Sequence, residues 1–282
     1  MKVLRTVAEV RAWRAGAGRV GFVPTMGALH AGHMSLVEHA VSETDAVVAS
    51  IFVNPTQFGP NEDFAAYPRR EADDTALLEK HGCAVAFVPP IAEVYPPGDA
   101  TRVTPGPIAA PLEGAARPGH FIGVATVVAK LLAIVRPEIA YFGQKDFQQL
   151  RVLQTMARDL RLGADIIGCP TVREPDGLAM SSRNAYLTPD QRRDAVALSR
   201  GLFRAREMWE QGVRDPRVLR ERVGELASND NVVLEYVSVA DPITLAELDA
   251  PAAAAVISLA ARVGRARLID NVLLGMKIEE IA

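Results

Sequence analysis

The stretch Gly21-Phe22-Val23-Pro24-Thr25-Met26-Gly27-Ala28-Leu29-His30-Ala31-Gly32-His33 carries an apolar strand into a helix and sets two histidines around a glycine at the junction. Val20 to Val23 is a short apolar run, Pro24 and Gly27 are expected to break it, and Leu36, Val37, Ala40 and Val41 return at helical spacing. His33 therefore falls at or near a helix N-terminus. There the free backbone N–H groups and the helix dipole attract anions, and Gly32 lets the backbone approach a ligand. Ligands of open α/β sheets sit at the carboxyl ends of strands, so this junction is a candidate phosphate site. Read alone, two histidines also suit a solvated surface or a metal. Zinc-type ligation has less support, because Cys83 and Cys169 are distant and no glutamate completes the spacing.

The same alternation recurs further along the chain. Ala46 to Val53 is an almost unbroken apolar run ended by Asn54-Pro55, as expected of a parallel strand covered on both faces. Ala84 to Val88, Ile139 to Phe142 and Asp165 to Cys169 read similarly. Helical patterns lie between them, around Glu71 to His81, Ile122 to Val135 and Asp146 to Leu160. Strands alternating with helices predict a doubly wound α/β domain over residues 1–171.

Past Cys169 the texture changes, with turn signals at Pro170, Pro175, Asp176 and Gly177. Thr188-Pro189-Asp190-Gln191 then starts a long helix: Thr188 caps, Pro189 suits the first helical position and Gln191 closes a capping box. Leu198, Leu202, Ala205 and Trp209 form its buried stripe. Another helix and strand-like runs at Val232 to Val239, Ala254 to Ala260 and Arg267 to Ile269 complete a smaller α+β domain, 172–282.

A chain of 282 residues is long enough for a large core. Its net charge of −3 provides no broad basic surface for nucleic acid, whereas a small anionic substrate needs only a few cations. Arginines and Glu9 interrupt the first sixteen residues, so no secretion-signal core is read there, and no run is long and apolar enough to span a membrane. Two distant cysteines suit a reducing cytoplasm.

Further segments offer chemistry. Lys145, one of only five lysines, stands in Gly143-Gln144-Lys145-Asp146 at the end of a strand, where it is either a phosphate ligand or a solvated helix-start residue. Met180-Ser181-Ser182-Arg183-Asn184 combines two hydroxyls with a guanidinium that can chelate phosphate oxygens, or forms an ordinary interdomain turn. Gln57, in Asn54-Pro55-Thr56-Gln57-Phe58, and Gln149 can each present a donor and an acceptor to a hydroxylated substrate, or are simply solvated. Asp73 and Asp74 follow Tyr67-Pro68-Arg69 and suit Mg²⁺ or the dipole of a helix start. Arg117-Pro118-Gly119-His120-Phe121 adds a cation and an imidazole, while His39 and His81 read as helix-surface residues.

In this order, residues 24–33, 52–58, 67–69, 117–121, 143–149 and 180–184 closely resemble the motifs of the pantothenate synthetase (pantoate-beta-alanine ligase) family. The resemblance covers roughly residues 20–190. It implies a Rossmann-like nucleotide-binding domain, a smaller C-terminal lid domain and a cytoplasmic homodimer. It also implies a reaction in which pantoate and ATP form pantoyl adenylate and pyrophosphate, and β-alanine then displaces AMP to give pantothenate. On this resemblance His30, His33, Lys145 and Arg183 are the catalytic residues. Met26, Gly143, Asp146, Val172, Met180, Ser181 and Ser182 join His33, Lys145 and Arg183 around ATP. Gln57, Gln149 and Met26 hold pantoate, and Asp73 lies near Mg²⁺. Ala31 departs from the pattern, since relatives often carry an acid there.

Two other readings compete. A nucleotidylyltransferase of the same superfamily would leave the nucleotide on its product, and a non-catalytic nucleotide sensor would leave the histidines, Lys145 and Arg183 without work. AMP release and turnover with both cosubstrates separate the three.

Overall fold

Val20, Phe22 and Val23 are completely buried, which a strand needs when helices cover both faces of its sheet. In a computed structural model describing residues 1–60, 62 and 64–281, this run is β2 (Val20–Thr25), preceded by β1 (Lys2–Leu4) and α1 (Val7–Arg14). Asn61, Asp63 and Ala282, the last residue of the expected C-terminal domain, lie outside the described residues.

The chain continues through α2 (Ala31–Glu43), β3 (Ala46–Ile51), α3 (Glu71–Lys80), β4 (Val85–Phe87), α4 (Ile91–Val94), α5 (Glu113–Ala116), α6 (His120–Val135), β5 (Ile139–Gly143), α7 (Phe147–Asp159) and β6 (Asp165–Cys169). Six parallel strands form one sheet in the order β1-β4-β3-β2-β5-β6. Successive connections run one way from β2 to β4 and the other way from β5 to β6. The topological switch therefore lies between β2 and β5, and the loop leaving β2 starts at the place where such sheets bind ligands.

Pro24 does not break the strand. Its ladder to β3 runs from Val20↔Ala46 to Thr25↔Ile51, whereas that to β5 stops at Phe22↔Ala140. Beyond Phe22 the strand is paired on one side only, where a missing N–H is tolerated as on a sheet edge. Phe22, Phe87, Leu78, Leu132 and Tyr141 are among the largest fully buried side chains of this sheet and its helices. Each such burial contributes about 1.5–3 kcal/mol.

The second sheet is antiparallel, β7 (Val232–Ala240), β8 (Ala255–Val263) and β9 (Ala266–Leu274) in sequence order. It packs with α8 (Pro189–Glu210) and α9 (Pro216–Ala227). The Thr188–Gln191 capping box forms as the sequence predicts, and Leu198, Leu202, Ala205 and Trp209 are buried with Leu219, Ile257 and Leu259. Thus the fold is a Rossmann-like parallel sheet joined to a smaller α+β sheet. Among the described residues two compact units emerge: residues 1–143 with 148–169, and residues 144–147 with 170–281.

Candidate active site

The loop leaving β2 is fixed before it reaches the histidines. The Thr25 hydroxyl donates to the Ser50 carbonyl at 2.6 Å and accepts the Gly27 N–H at 3.1 Å. Gly27 and Ala28 then adopt positive φ, +81° and +51°. For alanine that conformation costs roughly 1–2 kcal/mol. The buried Asp74 carboxylate, on α3, accepts the next two backbone N–H groups, Ala28 at 2.9 Å and Leu29 at 2.8 Å.

His30 is the N-cap of α2 and His33 its third residue. Nδ1 of His30 accepts the Gly32 N–H at 3.2 Å, and Nδ1 of His33 accepts the His30 N–H at 3.3 Å. The rings lie 4.1 Å apart, centroid to centroid. A nitrogen that accepts a backbone N–H carries no proton, so each neutral imidazole is the Nε2–H tautomer and donates through Nε2. The local sequence thereby caps the helix and sets two N–H donors at its positive end.

A second cluster in the same unit surrounds Gln57, in a short 3₁₀ turn after β3 (Pro55–Gln57). Its Nε2 donates to Sδ of Met26 at 3.3 Å, and its Oε1 accepts from Asn54 at 3.0 Å. Asn54 is buried and saturated: its Nδ2 also reaches the Gly123 carbonyl, while its Oδ1 accepts from Thr56 and the Tyr95 hydroxyl. A Cβ on Gly123 would lie 2.2 Å from the Thr56 carbonyl oxygen, so only glycine lets α6 approach this turn so closely.

The Gln57 carbonyl accepts from Nδ1 of His120 at 2.9 Å, and Nε2 of His120 faces Nη1 of Arg117 at 3.0 Å. Since arginine only donates, His120 is the neutral Nδ1–H tautomer. Burial, with the Arg117 charge beside it, lowers its pKa to about 4. Arg117 in turn holds Glu62 through two oxygens, at 2.6 and 2.7 Å. Burial pushes the Glu62 carboxyl up, but the Arg117 hydrogen bond and charge outweigh it and hold the carboxyl below its ordinary value. Gln149, on α7, is half-buried, and its neighbour Gln148 is committed to the backbone at Ile108, Pro111 and Glu113.

Gly143 ends β5, and the second unit takes up the chain with the 3₁₀ turn Gln144–Asp146. Nδ2 of the buried Asn271, on β9, donates to the carbonyls of both Gln144 and Lys145 at 2.9 Å, and its Oδ1 accepts from Gln144. Lys145 Nζ lies 3.8 Å from Asp146. The neighbouring Asp270 takes Arg173 through both oxygens, at 2.6 and 2.9 Å. Residues 172–180 form a tight hairpin in which the Met180 N–H donates to the Val172 carbonyl at 3.0 Å and Arg173 bridges Ala179. Ser181 then caps the turn Ser182–Tyr186 by accepting the Arg183 N–H.

Within the first unit, His30 is paired with His33 and Met26 with Gln57. Within the second, Lys145 is set beside Asp146, and Val172, Met180, Ser181 and Arg183 share one loop. Asp73 stands exposed on α3, whereas Asp74 is engaged by the backbone. Among the described residues no group of three or more His, Cys, Asp or Glu side chains is arranged to hold a metal. His39 and His81 are partly exposed and pair with Glu43 and Glu38, as surface residues do. Asn271, Asp270 and the supporting part of Asn54 have no signature in the sequence. Asn271 acts across 126 and 127 positions, and only the unusual burial of an amide marks it.

The chain matches the family model for pantoate-beta-alanine ligase over residues 2–273. It is 54% identical over 276 residues to pantothenate synthetase of Roseiflexus castenholzii, covering 97% of this chain and 99% of that protein. It is 49% identical over 280 residues to that of Thermotoga neapolitana, covering 98% and 100%. A crystal structure of pantothenate synthetase from Thermus thermophilus matches with a TM-score of 0.92 at 48% identity, over 96% of this chain and 99% of that one. Pantoate-beta-alanine ligase from Francisella tularensis, complexed with beta-gamma ATP and beta-alanine, matches with a TM-score of 0.80 at 36% identity, over 98% and 99%.

Proposed function

The chain belongs to the pantoate-beta-alanine ligase family, whose ATP-dependent condensation of pantoate with β-alanine it carries out, and we propose that it does so through a pantoyl adenylate. The observation that carries this reading is the pair of Nε2–H donors, His30 and His33, at the N-terminus of α2 beside the topological switch. A carboxylate oxygen of pantoate attacks the α-phosphorus of ATP, the bond to the β-phosphate breaks, and pyrophosphate leaves. The β-alanine amine then attacks the activated carbonyl, loses a proton and expels AMP.

The residues act by position and charge. His30 and His33 donate to phosphate oxygens as negative charge redistributes, a fixed arrangement that needs no reorganisation during the step. Lys145 and Arg183 neutralise the triphosphate, with Ser181 and Ser182 as further donors and Met26, Gly143, Asp146, Val172 and Met180 completing the nucleotide contacts. Gln57 and Gln149 orient pantoate against Met26. No enzyme nucleophile is required, because the mixed anhydride already activates the carbonyl carbon.

Mg²⁺ suits this scheme as a companion of ATP. A hard cation of this kind takes one or two protein carboxylates plus phosphates and waters, and exposed Asp73 offers one carboxylate where Asp74 is occupied. When bound, the ion neutralises phosphate charge. The C-terminal domain, 172–282, serves as the lid. The enzyme works in the cytoplasm as a homodimer, for which sedimentation would give twice the 30.3 kDa chain mass. No helix among the described residues is long and apolar enough to cross a membrane.

The test is isotope exchange. With ATP, Mg²⁺ and pantoate but no β-alanine, labelled pyrophosphate enters ATP, and β-alanine then releases AMP and pantothenate in equal amounts. Exchange that requires β-alanine, or release of ADP and phosphate, would overturn the adenylate. A nucleotide retained on the product would favour the nucleotidylyltransferase reading.

A further inference from the structure

We propose that Asp74 is a positioning residue, which holds the backbone before α2 so that His30 and His33 face the reacting phosphate, and that it is not the magnesium ligand of the acidic pair. The proposal rests on the adenylation reading above and adds to it how the donors are kept in register.

The geometry is specific. Asp74 is only 3% exposed. Its two oxygens divide between two successive backbone donors, Oδ2 accepting from Ala28 and Oδ1 from Leu29. Both donors belong to the turn made by the left-handed Gly27 and Ala28. Consecutive backbone N–H groups in such a turn converge on an anion, and here the anion is built into the chain. Leu29 is the residue immediately before the N-cap. The carboxylate thus fixes the entry of α2, and with it the backbone N–H groups that Nδ1 of each histidine accepts.

Gly27 belongs to the same device. A Cβ there would lie 2.9 Å from Oδ2 of Asp74 and 3.1 Å from Ile51. A side chain there would crowd Oδ2, the acceptor of the Ala28 N–H, and would strain the left-handed backbone at Gly27. A carboxylate held this way has both oxygens directed at the protein backbone, whereas Asp73 beside it is exposed.

Asp74→Asn replaces one acceptor by an N–H₂ group facing a backbone N–H, and Asp73→Asn serves as the metal arm. Asp74→Asn should lower kcat for pyrophosphate exchange at saturating substrates by about 10-fold or more, the scale expected for a small misplacement of positioned groups. The Mg²⁺ concentration for half-activation should stay unchanged, while Asp73→Asn should raise it. Nitrogen-15 spectra of the histidines should show Nδ1 of His30 and His33 as hydrogen-bonded acceptors in the parent protein and not in Asp74→Asn. Gly27→Ala should reproduce the loss in kcat, and the double variant should lose no more than the worse single one, which keeps the test available should Asp74→Asn fail to fold.

Restoration of Asp74→Asn activity by excess Mg²⁺ would make Asp74 a metal ligand and overturn the proposal. So would a folded Asp74→Asn or Gly27→Ala protein with parental kcat. Failure of the adenylation reading shows itself separately, as absence of exchange in the parent protein, and the histidine spectra then judge the role of Asp74 alone.

Discussion

The backbone N–H of His30 donates to Nδ1 of His33 across 3.3 Å, so the two side chains expected to do the chemistry also cap the helix that carries them. The near nitrogen of each ring serves the fold, and in the proposed reaction the far one serves the substrate.

Substitutions that preserve one nitrogen and delete the other should separate the two tasks. His33→Asn retains an acceptor near the position of Nδ1 and should unfold close to the parent temperature, yet lose roughly 10²-fold in pyrophosphate exchange. His33→Gln retains a distal N–H and should keep more activity, at a cost of about 0.5–2 kcal/mol in stability from the lost cap. Denaturant titration and exchange assays on both variants decide it. Equal activity in the two would refute the division.

Lys145→Ala should weaken ATP binding more than pantoate binding, and Gln57→Ala should do the reverse, since one side chain supplies charge and the other neutral hydrogen bonds. Calorimetric titration of each variant with each substrate gives four affinities. Equal losses of both substrates in both variants would count against these roles.

Asn271→Ala touches no substrate in this scheme, but it strips a donor from the carbonyls of Gln144 and Lys145. ATP affinity should fall about 10-fold with pantoate affinity unchanged, and the loss of buried hydrogen bonds should cost about 1–3 kcal/mol of stability. Parental ATP affinity in a folded variant would show that the turn holds its shape without β9.

His120 predicts a pH dependence. Its ordinary pKa is 6.5 and its folded one is about 4, so between these values the unfolded chain binds a proton that the folded chain refuses. The stability of the neutral buried ring is fully present above pH 6.5 and is lost as pH falls through about 4. The loss should amount to about 2–4 kcal/mol. His120→Asn keeps a donor for the Gln57 carbonyl and removes the titration, so its unfolding free energy should change less over that window. A parallel profile would place the proton elsewhere.

Much of this molecule was legible because local rules suffice. Val20 to Val23, Ala46 to Ile51 and Ile139 to Phe142 are almost wholly apolar because both faces are covered, and Thr188 to Gln191 contains its own capping instructions. The histidine pair was visible for the same reason, since strand, glycines and helix all lie within fourteen residues. Pro24 misled because the sequence does not state that β5 stops pairing at Phe22. Lys2 to Leu4 gave no strand signal of its own and gains its structure from pairing with β4. Asp74 stood in the sequence as half of an acidic pair, and only tertiary contact distinguishes it from Asp73. Asn271 and Asp270 were silent, because their partners lie roughly a hundred or more positions away.

The clamp on the Lys145 turn also sets a timetable for synthesis. The donor that fixes the Lys145 carbonyl lies 126 residues downstream, which at about 5–20 residues per second is a delay of roughly 6–25 seconds. Once residue 169 is made, the nascent chain contains every strand of the parallel sheet, with the histidine pair and the Gln57 cluster, but not β9. A ribosome-bound or prematurely terminated chain is therefore expected to hold its histidine pair in place before its lysine turn is set, and to reach full ATP affinity only after translation has passed Asn271.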